Sequence, residues 1–350
     1  MSFTSSWLLV AGMVVSFVHQ GAASYGDRSW IFRRCYTHCV NSVRKCPKTD
    51  NRVLNQAVYM RVLGWTCTDE CTYDCMWETV EAFQKDSSPI PQFYGKWPFI
   101  RLLGMQEPLS VLASILNGAG VFYMLLKFRR LVPPSAPMYY VWQFYCIIVM
   151  NAWFWSAIFH SRDTSFTEKM DYFCALSLVL ASLYTCILRL IGTHCRRKVA
   201  IATIVISAFY AQHVYYMGFV HFDYGYNMTV NVAVGVVNAT AWITWCLPRR
   251  KTKPHVRKCI ATNLLISVLL SLELGDFPPV LWIMDAHSLW HLGTIPVPFI
   301  WLSFAIDDCL DMNNSLKQTQ KVLPTSVSVV DTPVCVDTPT DPRGAMKKVD

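Results

Sequence analysis

"MYYVWQFYCIIVMNAWFWSAIFH", residues 138–160, runs for 23 residues without an Asp, Glu, Lys or Arg and closes on a histidine. A helix of that length covers the roughly 30 Å hydrocarbon layer of a bilayer, where only structures that satisfy their own backbone groups persist. Working outward, six further apolar segments are read, at about 108–126, 171–191, 199–220, 228–247, 259–283 and 287–306. Together they predict an all-α membrane protein built as a seven-transmembrane helix bundle. The segment at 259–283 is the least regular, because Glu273, Gly275, Asp276, Pro278 and Pro279 interrupt it, and it is expected to kink or end early.

Composition agrees, with 53% hydrophobic and only 15% charged residues in a chain of 350. The formal charge of +8 gathers in short clusters between apolar runs, a pattern of membrane topology rather than of nucleic-acid binding. The clusters "KFRR" (127–130), "HCRRK" (194–198) and "PRRKTKPHVRK" (248–258) fall between segments one and two, three and four, and five and six. The positive-inside rule puts all three in the cytosol. The intervening loops, "SRDTSFTEKMD", "HFDYGYNMT" and "ELGDFPP", are mixed or acidic and are expected to face the lumen.

Residues 1–24 contain an apolar core, "WLLVAGMVVSFV", followed by small residues in "HQGAAS", the outline of a secretory signal peptide cleaved near Ala23 or Ser24. Residues 25–107 then form a lumenal region holding Cys35, Cys39, Cys46, Cys67, Cys71 and Cys75. In an oxidising compartment these imply three disulfides, with pairing left open, and their C-x3-C spacings put them on helix faces, so two short helices stapled together are expected. The seven-helix unit takes 108–306. Residues 307–350 are expected to be a disordered cytosolic tail, and its ending, "KKVD", has lysines at the positions of a dilysine retrieval signal.

Ionisable groups in spanning helices are costly enough to be functional candidates by default. Here they collect on one membrane face. Segment two ends with Ser156 and His160, four apart on one helix side and about 6 Å apart in axial rise. Segment three opens with Asp171, and segment seven with His287 and His291. Three neutral imidazoles leave a fourth zinc position free, as catalytic rather than structural sites do. Zinc there would make water a nucleophile near neutral pH and polarise an ester carbonyl. No glutamate separates His287 from His291, so this is not an H-E-x-x-H protease, and Asp171 is the candidate proton carrier, with a helix N-cap as its plain alternative. Ser156 either bonds the site or its own backbone. A Ser156–His160–Asp171 triad is the competing chemistry, though it leaves two histidines without a role. Glu273, Asp276 and Asp285 could orient a ligand histidine or simply be solvated at the interface.

"SxxxH" at Ser156, Asp171 eleven residues beyond His160, and "HxxxH" at His287 resemble the superfamily of seven-helix hydrolases and receptors that includes alkaline ceramidases and adiponectin receptors. The cysteine-rich region with "NAWFWSAIFHSRDTSFTEKMDYF" and "LELGDFPPVLWIMDAHSLWHLGTIP" resembles its Per-one-like branch, over about residues 24–310. The resemblance implies remodelling of glycosylphosphatidylinositol (GPI) anchors in the Golgi, by removing the unsaturated sn-2 fatty acid from anchors attached to protein. Its partners would be GPI-anchored proteins and their anchor lipid. It also implies that His160, His287 and His291 are Zn2+ ligands, that Asp171 is the acid/base and that Ser156 completes the site. A lipid- or peptide-sensing receptor and a ceramide amide hydrolase stand as alternatives within the same superfamily.

Overall fold

The computed structural model describes residues 24–46 and 56–322. The expected signal peptide, up to residue 23, and the dilysine ending lie outside the described residues.

The N-terminal unit is stapled as its cysteine spacing predicts. Helix α1, Trp30–His38, starts at Ser29, whose hydroxyl accepts the Phe32 N–H, and runs into a π-helical turn, Cys39–Val43. A short α2, Val58–Val62, precedes α3, Cys67–Lys85, which opens with a Thr66–Asp69 capping box. Disulfides Cys35–Cys75, Cys39–Cys71 and Cys46–Cys67 nest between α1 with its extension and α3, pairing the two helices antiparallel. Phe32, Val80 and Phe93 fill the space around them.

The bundle follows: α4, Pro108–Leu131; α5, Tyr139–Ser161; α6, Ser165–Ile191; α7, Arg196–Tyr215; α8, Tyr224–Cys246; α9, Val256–Glu273; α10, Ala286–Thr294; and α11, Val297–Val322. Among the described residues, six spans are long and apolar enough to cross a membrane, with α10 and α11 counting as one. The remaining helix, α9, carries Arg257, Lys258 and Glu273 within its 18 residues, yet it packs among α8, α10 and α11 as the seventh member. It ends at Glu273, where the sequence breaks down into Gly and Pro.

Three of the differences from the sequence reading have identifiable causes. Segment three begins at Ser165 rather than 171, because Thr164 and Thr167 form its capping box; Asp171 is therefore inside the helix and is not a cap. Segment seven is split between Thr294 and Val297, around Pro296, whose ring removes a backbone donor. The tail expected from 307 is corrected as far as 322: α11 continues to Val322, with Asp307 and Asp308 tied to α9 and α6 and Asp311 tied to Lys253 in the loop before α9.

In lipid, helices associate through close packing and polar contacts rather than through exclusion of water. The centre of this bundle is aromatic: Trp301 lies 5.7 Å from Trp142 and 5.1 Å from Trp242, ring centre to ring centre, with Phe304 5.5 Å from Trp242. Below it, at the end carrying the basic loops, Arg189 on α6 grips buried Asp308 on α11 through two bonds, of 2.6 and 3.1 Å. Lys258 on α9 reaches Asp307 at 2.6 Å, and Lys253 reaches Asp311 at 2.5 Å. The disulfide unit sits on the opposite end, against the loops that follow α5 and α9.

Candidate metal centre

His160 occupies the last turn of α5, while His287 and His291 stand one turn apart on α10. Their Nε2 atoms face one another, at 3.4 Å between His160 and His287 and 2.9 Å between His287 and His291. One ligand atom from each lies within 4.8 Å of the others. His160 and His291 are buried, and the His287 side chain keeps 35% of its surface, so the site opens on that side. The approach of α10 to α9 is close at Gly293, where a Cβ would lie 2.3 Å from Leu269 Cδ2 and that side chain would have to shift. Asn117 on α4 donates to the His291 carbonyl oxygen at 3.0 Å and to Thr294 Oγ1 at 3.2 Å, fixing α10 from its other side.

The outward nitrogens decide the chemistry. Glu107, just before α4, donates its backbone N–H to the His160 carbonyl at 3.0 Å and places Oε2 2.8 Å from His160 Nδ1. Glu273, at the end of α9, places Oε2 2.8 Å from His287 Nδ1. Ser114 Oγ lies 3.3 Å from His291 Nδ1. A carboxylate only accepts, so the ring protons of His160 and His287 sit on Nδ1, leaving Nε2 as bare lone pairs turned toward each other and toward His291. A proton on His287 Nε2, the atom common to both contacts, could serve the two neighbours only as a divided, weakened bond. A cation between the three relieves all of them, and the carboxylate–histidine pairs are the outer support that metal-ligating imidazoles ordinarily have.

Ser156 and Asp171 take different places. Ser156, buried, shares a 3.1 Å hydrogen bond with Ser114 Oγ rather than with a histidine. Asp171 stands within electrostatic reach of His160 and His287, with no hydrogen bond to either among the described residues. His160 thus has Glu107 where a triad would need Asp171, and the Ser156–His160–Asp171 triad is not assembled. Of the three acids near segment seven, Glu273 reaches one of the three clustered histidines. Asp285 is the N-cap of α10 in a capping box with Ser288, and Asp276 bonds Gln92 and Trp97 of the N-terminal unit. Trp290 stacks along His287, with centroids 6.1 Å apart, and Trp153 lies 5.6 Å from His291, so aromatic rings wall the histidines.

The disulfide unit holds the loop that follows His160. Arg162 bonds Asp69 at 2.8 Å and lies over the Trp65 ring at 3.9 Å, and Lys96 pairs with Asp163 and covers Phe159. Arg101 also packs on the Trp65 ring, at 3.3 Å, and pairs with Glu70 at 2.7 Å; burial draws its guanidinium below the ordinary range while Glu70 pulls it back.

Glu107, Ser114 and Asn117 did not stand out in the sequence. Ser110, Ser114 and Asn117, at i, i+4 and i+7, form a buried polar stripe on one side of an otherwise apolar helix, which is a usable signal. Glu107 offered only its place one residue before that helix.

The chain matches the Per1-like family over residues 57–309. It is 45% identical over 305 residues to the zebrafish (Danio rerio) protein named "GPI-specific phospholipase A2-like PGAP3", covering 86% of this chain and 95% of that one. The human protein of the same name is 44% identical over 289 residues, 83% of this chain and 90% of its own. The Drosophila melanogaster protein named "Post-GPI attachment to proteins factor 3" is 41% identical over 305 residues, covering 86% and 92%. No solved structure matches the chain.

Proposed function

Because this chain belongs to the Per1-like family, we propose that it remodels GPI anchors as a metal-dependent acyl ester hydrolase, releasing the sn-2 fatty acid from anchors already attached to protein. The observation that carries the mechanism is the convergence of three Nε2 atoms whose Nδ1 atoms are held from outside.

His160, His287 and His291 would hold the ion, and three neutral imidazoles with room for a further ligand are the donor set of catalytic Zn2+. Bound there, it would supply Lewis acidity toward an ester carbonyl and make water nucleophilic near neutral pH. Glu107 and Glu273 keep the Nδ1 protons in place, so the imidazoles stay aimed inward. Asp171, close to two of the histidines and bonded to neither, is the carboxylate free to take a proton from water and return it to the departing alcohol. Ser156, held by Ser114, presents a hydroxyl to the same space. Trp290 and Trp153 keep bulk water from the histidines, and substrate enters where His287 is exposed.

The site would face the lumen of the Golgi, with the mature N-terminus lumenal and the C-terminus cytosolic. Three disulfides at the site end suit an oxidising compartment, and basic clusters at the other end suit the cytosol.

The test is release of fatty acid from the anchor lipid of a purified GPI-anchored protein by wild type and by His287→Ala, with bound metal measured on both. Wild type is expected to hold about one Zn2+ per chain and to free sn-2 chains, and the variant to do neither. Undiminished release by the variant would overturn the proposal, as would an active wild-type enzyme without stoichiometric metal.

A further inference from the structure

The basic run 248–258 is sorted by the fold into two sets. Lys253, His255 and Lys258 reach Asp311, Asp308 and Asp307, at 2.5, 3.3 and 2.6 Å. Arg249 turns back to donate to the Trp245 carbonyl at 2.7 Å and lies over that residue's ring. Arg250, Lys251 and Arg257 are exposed and have no ion-pair or hydrogen-bond partner among the described residues. These three line one open groove of about 410 Å³ together with Ile260, Ala261 and Leu264.

The walls have an order. On α9, Arg257, Ile260, Ala261 and Leu264 fall at i, i+3, i+4 and i+7, a single stripe that continues to exposed Val268. The three cations therefore stand at the start of an exposed apolar stripe that runs along the outer surface of α9, and the groove they line together is an apolar trough. The positive-inside rule accounts for cations at this end of the molecule. It does not account for three unpaired ones around a single groove with hydrocarbon walls, where they repel one another.

We propose that this groove binds an anionic phospholipid with a phosphorylated headgroup, taken from the leaflet at the basic end of the bundle. The phosphate sits among Arg250, Lys251 and Arg257, where guanidinium forks match its oxygens, and an acyl chain lies along Ile260, Ala261 and Leu264. A zwitterionic lipid brings its own ammonium group among the three cations and is disfavoured. This site is on the opposite end from the histidines and does not depend on the hydrolase reading.

The test uses the full-length protein, purified in detergent and exchanged into nanodiscs of phosphatidylcholine containing a few per cent of phosphatidylinositol 4-phosphate, with retained lipid read by native mass spectrometry. Wild type is expected to retain the phosphorylated lipid over phosphatidylcholine by at least about tenfold. Arg250→Gln/Lys251→Gln/Arg257→Gln is expected to lose that preference. Lys127→Gln/Arg130→Gln/Arg197→Gln, which removes the same charge from exposed positions at the same end, is expected to keep it. Leu264→Trp leaves every cation in place and fills the trough, so it too is expected to reduce retention. Equal loss in both triple variants would overturn the site in favour of diffuse attraction. Absence of any preference in wild type would overturn it outright. Competition by soluble inositol 1,4-bisphosphate as effective as that of a short-chain lipid would overturn the lipid as occupant, because the trough would then contribute nothing.

Discussion

The two ends of this bundle bury ionisable groups in opposite ways. At the basic end each acid has its cation: Arg189 with Asp308, Lys258 with Asp307, Lys253 with Asp311. At the disulfide end two acids are spent on the outer nitrogens of histidines, and the inner nitrogens face only one another. The first arrangement is complete as it stands and joins α6, α9 and α11. The second leaves converging nitrogens that a metal ion could complete, which sets it apart from a structural ion-pair layer.

That contrast is broken most severely at the histidines. His291→Ala removes one of three donors, so sn-2 hydrolysis is expected to fall by at least about a thousandfold, some 4 kcal/mol of barrier, and bound metal to be lost with it. The check pairs fatty-acid release with metal analysis on protein of unchanged helix content. If metal stayed, the histidine end would be of the same self-sufficient kind as the other.

At the basic end the loss should appear in stability instead. Asp308→Ala leaves the Arg189 guanidinium, 17% exposed, without its partner, at an expected cost of about 3–5 kcal/mol. Thermal unfolding in detergent reads this, while metal per folded chain should not change. Loss of metal from the folded variant would mean that the two ends are one cooperative unit.

How far each end could be read in the sequence follows from where its partners lie. His160, His287 and His291 were legible because imidazoles in apolar segments are conspicuous, and loop charges set all three on one face. Their supports were less so. Glu107 stands just outside a spanning helix, where acids are ordinary, and only its fold onto His160 gives it a role. Asp285 forms a capping box with Ser288 that is written locally, and two residues from a histidine the same acid also has the position of an outer support. The continuation of α11 past residue 306 was hidden for another reason. Asp308 is partnered from α6, 119 residues away, and a polar stretch without its distant cations looks like a tail.

Between these extremes lies Glu107→Gln. The amide side chain keeps the shape but can present a donor to Nδ1, so the tautomer of His160 is no longer fixed. A loss of about 10- to 100-fold in metal affinity or hydrolysis is expected, as for other outer supports of metal ligands. A metal titration of the apo-protein separates this from a folding defect, because the variant should still reach full occupancy at higher metal. Failure to bind at any concentration would instead make Glu107 part of the framework on which α5 and α4 meet.

The smallest expected effect tests the neutral partner in the set. His291 alone is supported by a hydroxyl, Ser114, which also holds Ser156. Ser114→Ala removes neutral hydrogen bonds of about 0.5–1.5 kcal/mol, so a loss of roughly two- to tenfold is expected. Comparison with Ser156→Ala then assigns the second serine. If Ser156 serves only to orient Ser114, its removal costs no more than the loss of Ser114, and the double variant is no worse than the worse single one. If Ser156 touches the substrate, its removal lowers kcat/KM further than Ser114→Ala does while metal affinity stays at the wild-type value, because no bond joins Ser156 to a ligand histidine. In that second case the metal titration and the hydrolysis assay move together for Ser114 and separately for Ser156, an outcome that a shared packing role for the two serines would not produce.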